Sequence, residues 1–204
     1  MYVPKFSITD EQVQYAKSAL AKSLDIPFAN YWDLEDGKSH TEKWRFYGFL
    51  GEVVFADAYK LPRPTHCYGL NGQDKGSDFV LNGAHIDIKT APLKVAPKRA
   101  EYLTFMPSVR IIDKVDSITD NYFFVGIYEE NGIFTCYFAG SATAKDMKNR
   151  KVGKEHHKGE ILNFNTKSYT IQTDCIRLNA TQIKPVKITE LLLGLPNFEI
   201  YKLD

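Results

Sequence analysis

The sequence predicts a single mixed α/β domain, and three observations carry that expectation. Residues 41 to 59, TEKWRFYGFLGEVVFADAY, are apolar nearly all round and free of proline, as a buried helix requires. Two Asn-Gly dipeptides, Asn82-Gly83 and Asn131-Gly132, each separate two strand-like runs. Asn-Gly is the strongest short-range hairpin signal, because both residues tolerate the positive φ of a type I′ turn. A long helix, then a hairpin, then further strands and helices is a mixed α/β order. At 204 residues the chain is of single-domain size, with its core expected at about 41–175.

Element by element, Thr9 with Gln12 forms a capping box, and Val13, Ala16, Leu20 and Leu24 recur at helical spacing, predicting a helix from about 9 to 24. The long buried helix follows, stopped by Leu61-Pro62-Arg63-Pro64. A short strand is expected around Cys67 to Leu70, then the first hairpin, then breaks at Ala91-Pro92 and Ala96-Pro97. Tyr102 to Val109 reads as another strand. The second hairpin joins Asn121–Glu130 to Ile133–Ala139, after which Ser141 caps a short basic helix ending near Lys148. Ser168 to Gln172 is expected as a late strand and Ile188 to Leu193 as a terminal helix.

Composition narrows the class. Hydrophobic residues at 44% and charged residues at 25% suit a soluble globular protein. Cys67, Cys136 and Cys175 are scattered, odd in number and without CxxC spacing, which argues against a disulfide framework or a zinc site. No run reaches membrane-spanning length, and MYVPKFSITDEQ lacks a basic-then-apolar leader, so a cytoplasmic protein with no membrane partner is expected. Net charge is only +1, but basic residues cluster. Lys89, Lys94, Lys98 and Arg99 form one stretch, and Lys145, Lys148, Arg150, Lys151, Lys154 and Lys158 another. Such local stripes suit a phosphate footprint, although a solvated face has the same composition.

The first hairpin carries the chemistry. An Asn82-Gly83 turn sets Leu81 against Ala84, Val80 against His85, Phe79 against Ile86, and Asp78 against Asp87. Phe79, Leu81, Ile86 and Ile88 then share an apolar face, while Asp78, Asp87 and Lys89 share the other, with Val80 and His85 nearer the turn. Opposed like charges destabilise a strand pair, and a cation between the carboxylates would remove that penalty. Glu52 is a third carboxylate, set within the apolar run GFLGEVVFADAY. A buried carboxylate is costly unless paired or metal-bound. Gly48 and Ala56 lie one turn before and after it on the same helix face, leaving room for close approach. A plain salt bridge from Glu52 to Arg45 or a lysine is the structural alternative.

In their order, Gly51-Glu52 on a helix, Ser77-Asp78 on a strand and Asp87-Ile88-Lys89 on its hairpin partner, these residues resemble the PD-(D/E)XK nuclease superfamily. The resemblance extends over the helix and hairpin, roughly residues 41 to 90, and more loosely over the second hairpin, the Ala139-Gly140-Ser141 turn into a helix and the late strand, and its motif is short and degenerate. Serine stands in place of the family's proline, and aspartate opens the D-x-K. The resemblance implies a restriction-endonuclease-like mixed sheet flanked by helices, and a metal-dependent deoxyribonuclease. Asp78, Asp87 and the Ile88 backbone carbonyl offer the hard oxygen ligands that Mg²⁺ prefers, with Mn²⁺ as a substitute and Glu52 completing the shell. Lys89, ~6.6 Å along the strand from Asp87, is placed to act on the attacking water or on developing charge.

Lys94, Lys98, Arg99, Arg110, Lys148, Arg150, Lys151 and Lys154 are the candidates for contacting DNA. His85 reads as a rim residue, and His156-His157 as part of a polar loop. Cutting both strands with one site per chain suggests a homodimer. Rival readings keep the fold and change the task, to a structure-specific or end-processing nuclease or to a non-catalytic nucleic-acid-binding module.

Overall fold

The computed structural model describes residues 1–24, 37–65, 77–105, 118–149, 162–164, 167–169 and 178–204. Thr9 and Gln12 close the expected capping box. The Thr9 N–H donates to Gln12 Oε1 at 2.9 Å, and the Gln12 N–H donates to Thr9 Oγ1 at 3.2 Å. Helix α1 runs from there, Asp10–Leu24. Gln12 also donates through Nε2 to Asp57 Oδ2 at 2.8 Å, which ties the start of α1 to the end of helix α2, Gly37–Ala58. Arg63 holds the same carboxylate with two further hydrogen bonds of 2.8 Å.

Six strands form one sheet: β1 (Tyr2–Ser7), β2 (Phe79–Leu81), β3 (Ala84–Leu93), β5 (Asn121–Glu130), β6 (Ile133–Thr143) and β10 (Glu199–Lys202). Their order across it is β10-β1-β6-β5-β3-β2. Every pairing is antiparallel except β3 with β5, which run parallel over Ile86–Leu93 and Asn121–Tyr128. Both Asn-Gly turns form as expected, with Asn82 and Asn131 at φ near +50 and glycine following.

Two apolar layers cover the sheet. On one face Leu50, Val54 and Phe55 of α2 meet Phe79, Ile86, Ile88, Phe123, Val125 and Ile127. On the other, Tyr122, Phe124 and Tyr137 pack with Leu103, Phe105, Met147 and Leu178. β5 serves both layers through alternate residues, which is why NYFFVGIY is an unbroken apolar run instead of an alternating one. Phe55 is the centre of the helix-side layer. Its ring lies 4.6 Å from Tyr59, 5.3 Å from Phe79 and 4.8 Å from Phe123.

Several expected elements differ. The second hairpin's return strand does not stop at Ala139 but continues to Thr143. Gly140 is not in a turn. It sits in a β-bulge, since Phe124 pairs with Gly140 while Val125 pairs with Phe138. Gly140 has φ +144, and a Cβ there would collide with the Lys184 carbonyl oxygen, so glycine lets the 184 backbone reach Ser141. Thr143 rather than Ser141 therefore caps the short helix Ala144–Lys148, accepting from the Asp146 N–H at 3.0 Å.

Of the strand expected at Tyr102 to Val109, Tyr102 instead closes a helical turn, Ala100–Tyr102, Thr104–Phe105 form β4, which pairs with β9 (Leu178–Asn179), and residues 106–109 lie outside the described residues. Ala100 and Leu103 are pulled into the second layer, and their burial overrides the extended pattern. The late strand appears as β8 (Lys167–Tyr169), paired with β7 (Leu162–Phe164), and the terminal helix as Glu190–Leu193. Cys67 to Leu70, Val109 and Gln172 lie outside the described residues.

Truncating the aromatic hub tests this packing. Phe55→Ala is expected to lower unfolding free energy by about 3–5 kcal/mol, read from the urea midpoint at unchanged m-value.

Candidate active site

β2 has only three residues and forms an edge of the sheet. Its ladder with β3 follows the turn-set register: Leu81 with Ala84, Val80 with His85 and Phe79 with Ile86. There the regular pairing ends. The Asp78 N–H donates to the Ile86 carbonyl at 2.9 Å, so Asp78 does not take its place directly opposite Asp87 as the extrapolated register expects. Its side chain turns inward instead, and Oδ2 accepts from the Ile88 N–H at 2.6 Å. The physical reason is the shortness of β2: the ladder stops at Phe79, and the Asp78 carboxylate supplies Ile88 with the acceptor that a longer strand would have provided.

Side chains on β3 alternate between the layers. Ile86 and Ile88 enter the helix-side layer, and Thr90 meets Gly51 of α2. Asp87 and Lys89 therefore point to the opposite face. Asp87 is buried, and its Oδ1 accepts from Lys89 Nζ at 2.6 Å. That ammonium also lies 5.7 Å from the centre of the Tyr122 ring. Glu52, likewise buried, comes from α2 on the other face. Asp78, at the open edge where the two faces meet, is the residue that senses both.

The electrostatics follow. The Asp78 carboxyl is pushed well above the ordinary 3.8, first by burial, then by the negative charges of Glu52 and Asp87. Lys89 and the Ile88 hydrogen bond oppose the shift without cancelling it. Asp78 is only half-buried as a residue, yet burial leads because its carboxylate is the part folded against β3. Three acidic side chains thus share one neighbourhood with the Lys89 ammonium.

A hard divalent cation fits the chemistry of this donor set, since positive charge there would relieve the like-charge cost that Asp78 carries. In the arrangement described, the cation against Asp87 is the Lys89 ammonium, and among the described residues no three His, Cys, Asp or Glu side chains converge as a metal cage.

The four residues singled out in the sequence, Glu52, Asp78, Asp87 and Lys89, are brought together, with the Ile88 backbone bonded to Asp78. Lys94, Lys98 and Arg99 are exposed on the segment after β3, and Lys148 is exposed at the end of its short helix. Arg110, Arg150, Lys151 and Lys154 lie outside the described residues, as does His156-His157.

His85 is held by its backbone: its N–H donates to Asp120 Oδ2 at 2.8 Å and its carbonyl accepts from the Asp120 N–H at 2.9 Å. Gly48 does not mediate close helix packing, for a Cβ there would meet nothing within 4 Å among the described residues. Gly51 does, against Thr90. Tyr122, Asp120 and Thr90 were not legible as site neighbours. Tyr122 and Asp120 reach β3 only through the parallel pairing with the start of β5, and Thr90 is marked solely by following Lys89.

An open cavity of about 350 Å³ lies elsewhere, between α1 and Arg63–Thr65, and none of the four residues lines it. Comparison with family models, with curated proteins and with solved structures finds no match for this chain.

A raised carboxyl pKa means that the native state binds protons more tightly than the unfolded chain. The Asp78 contribution is therefore most favourable below the ordinary value of 3.8 and is lost as pH rises through the raised value. Asp78→Asn keeps an acceptor for Ile88 and removes the charge. Without divalent ions it is expected to be more stable than the parent near neutral pH. That advantage shrinks toward pH ~4. Urea midpoints across pH read both; a variant less stable than the parent at neutral pH would contradict the charge balance described.

Proposed function

We propose that this chain is a Mg²⁺-dependent DNA endonuclease of restriction type. What supports the reading most is the position of Asp78. A carboxylate held between Glu52 and Asp87 at a cost to its own ionisation, with a lysine beside the pair, is a poor structural feature and a good site for phosphodiester hydrolysis. The order of the four residues along helix and hairpin, and their likeness to the PD-(D/E)XK motif, supply the reaction class.

Asp78 and Asp87, the Ile88 carbonyl and Glu52 would hold the ion. When bound, it supplies charge relief on the phosphate and lowers the pKa of a bound water. Lys89 is already oriented, with Asp87 on one side and the Tyr122 ring on the other. From that position its ammonium orients the attacking water and meets the charge that develops on the phosphate. Burial of Asp87 and Glu52 keeps these interactions out of bulk water, where they would be weaker. The exposed Lys94, Lys98 and Arg99 offer sequence-independent phosphate contacts. A second copy of the chain would supply the second site needed to cut both strands.

Plasmid cleavage with and without Mg²⁺ or Mn²⁺ tests the proposal. The parent should nick or linearise DNA only with the ion, and discrete fragments would mark sequence-specific cutting. Asp87→Ala should abolish cleavage, and Lys89→Ala should slow it by about 10²–10⁴-fold. Replacing Lys94, Lys98 and Arg99 together by Ala should weaken DNA binding and flatten its dependence on salt. Failure of the parent to cut plasmid, branched or free-ended DNA would sink the reading, and equal cutting by Asp87→Ala would sink the site assignment.

A further inference from the structure

Helix α2 carries two interior glycines, Gly48 and Gly51, where alanine would make a more stable helix. Their surroundings differ. A Cβ at Gly48 would meet nothing within 4 Å among the described residues. A Cβ at Gly51 would collide with Thr90 Oγ1 and would lie 3.0 Å from its Cβ and 3.1 Å from its Cγ2. The helix backbone therefore rests directly on the branched end of one strand residue. That residue gains no hydrogen bond from the contact, since Thr90 Oγ1 is buried and has no partner among the described residues. A buried hydroxyl left unpaired is unfavourable. The contact sets a distance and makes no bond.

The distance concerns the site proposed above. Gly51 immediately precedes Glu52, and Thr90 immediately follows Lys89. The contact thus lies between the helix that brings Glu52 and the strand that brings Asp87 and Lys89, one residue from Glu52 and one from Lys89. We propose that the Gly51–Thr90 contact is the spacer that places Glu52 against Asp78, which makes Gly51 and Thr90 positioning residues of the metal-binding site; the inference rests on the function proposed above.

A methyl group at position 51 forces α2 and β3 apart. The hairpin keeps its own geometry through the β2–β3 ladder and the Asp78–Ile88 hydrogen bond. Glu52 alone is displaced. Thr90 suits the task because branching at Cβ restricts χ1 and makes its end a stiff ledge.

The test uses the full chain and Mn²⁺ alone, with affinity read from the electron paramagnetic resonance of free Mn²⁺ and folding from urea midpoints. Gly51→Ala should weaken Mn²⁺ binding by about 10–100-fold, the range for residues that orient ligands. Thr90→Ala alone removes the ledge and should also weaken Mn²⁺ binding, and Gly51→Ala/Thr90→Ala, which puts a methyl group where the ledge stood, should bind more tightly than Gly51→Ala; Thr90→Val and Gly48→Ala should stay within about threefold of the parent. In urea, Gly51→Ala should lower the midpoint of the parent by more than it lowers that of the Thr90→Ala variant, in which only the Cβ contact remains. If Gly51→Ala alone fails to fold, the double variant and Thr90→Val still decide the matter.

Unchanged Mn²⁺ affinity in Gly51→Ala or in Thr90→Ala, or no recovery in the double variant, overturns the spacer. Loss of binding in Thr90→Val overturns it too, by showing that the hydroxyl itself acts. A parent that binds no Mn²⁺ overturns the proposed function first, and with it the site that the spacer would serve.

Discussion

The candidate site is governed by an imbalance of charge at one edge of the sheet. Glu52 and Asp87 each lie within electrostatic reach of Asp78, and Lys89 is the ammonium paired with Asp87. Burial makes each of these interactions stronger than it would be in water, and it makes the surplus of negative charge costly. The surrounding bonds answer that cost. The Asp78 carboxylate takes the Ile88 N–H, which a longer β2 would have paired, and Lys89 folds back on Asp87.

Such an arrangement persists only when the scaffold overdetermines it. β3 lies between β2 and β5, with α2 over one face and the Leu103–Phe105 segment and short helix over the other. Asp120 adds a clamp where β5 begins, binding the His85 backbone twice and accepting the Ala144 N–H at 2.8 Å. The Phe55 cluster holds α2 to Phe79 and Phe123. Aromatic and aliphatic burial at residues beside the carboxylates thus offsets the unfavourable balance among them, and stability and chemistry draw on different residues of the same helix and strands.

Much of this was legible along the chain, for reasons that differ by element. The capping box, the buried helix and both hairpins are local: Thr9 finds Gln12 three residues away, and each Asn-Gly turn fixes the register of the strands it joins. β1 and β10 were not legible, because β1 contains Pro4 and both strands exist only by pairing with residues far along the chain. The helical turn Ala100–Tyr102 and the bulge at Gly140 escaped for the same reason, since Leu178 and Lys184 are what they pack against.

By itself, then, the sequence determined the helix carrying Glu52, the hairpin carrying Asp78, Asp87 and Lys89, and the alternation that separates their apolar and polar faces. Those features follow from backbone periodicity and turn chemistry within a few residues. Only the tertiary structure decided that Asp78 leaves the ladder to bond Ile88, that Tyr122 stands beside Lys89, and that Gly51 rather than Gly48 is where helix meets strand. Each depends on a contact between elements whose separation in the chain carries no periodic signal. Strand pairing within the sheet and packing of helix on sheet bring them within reach.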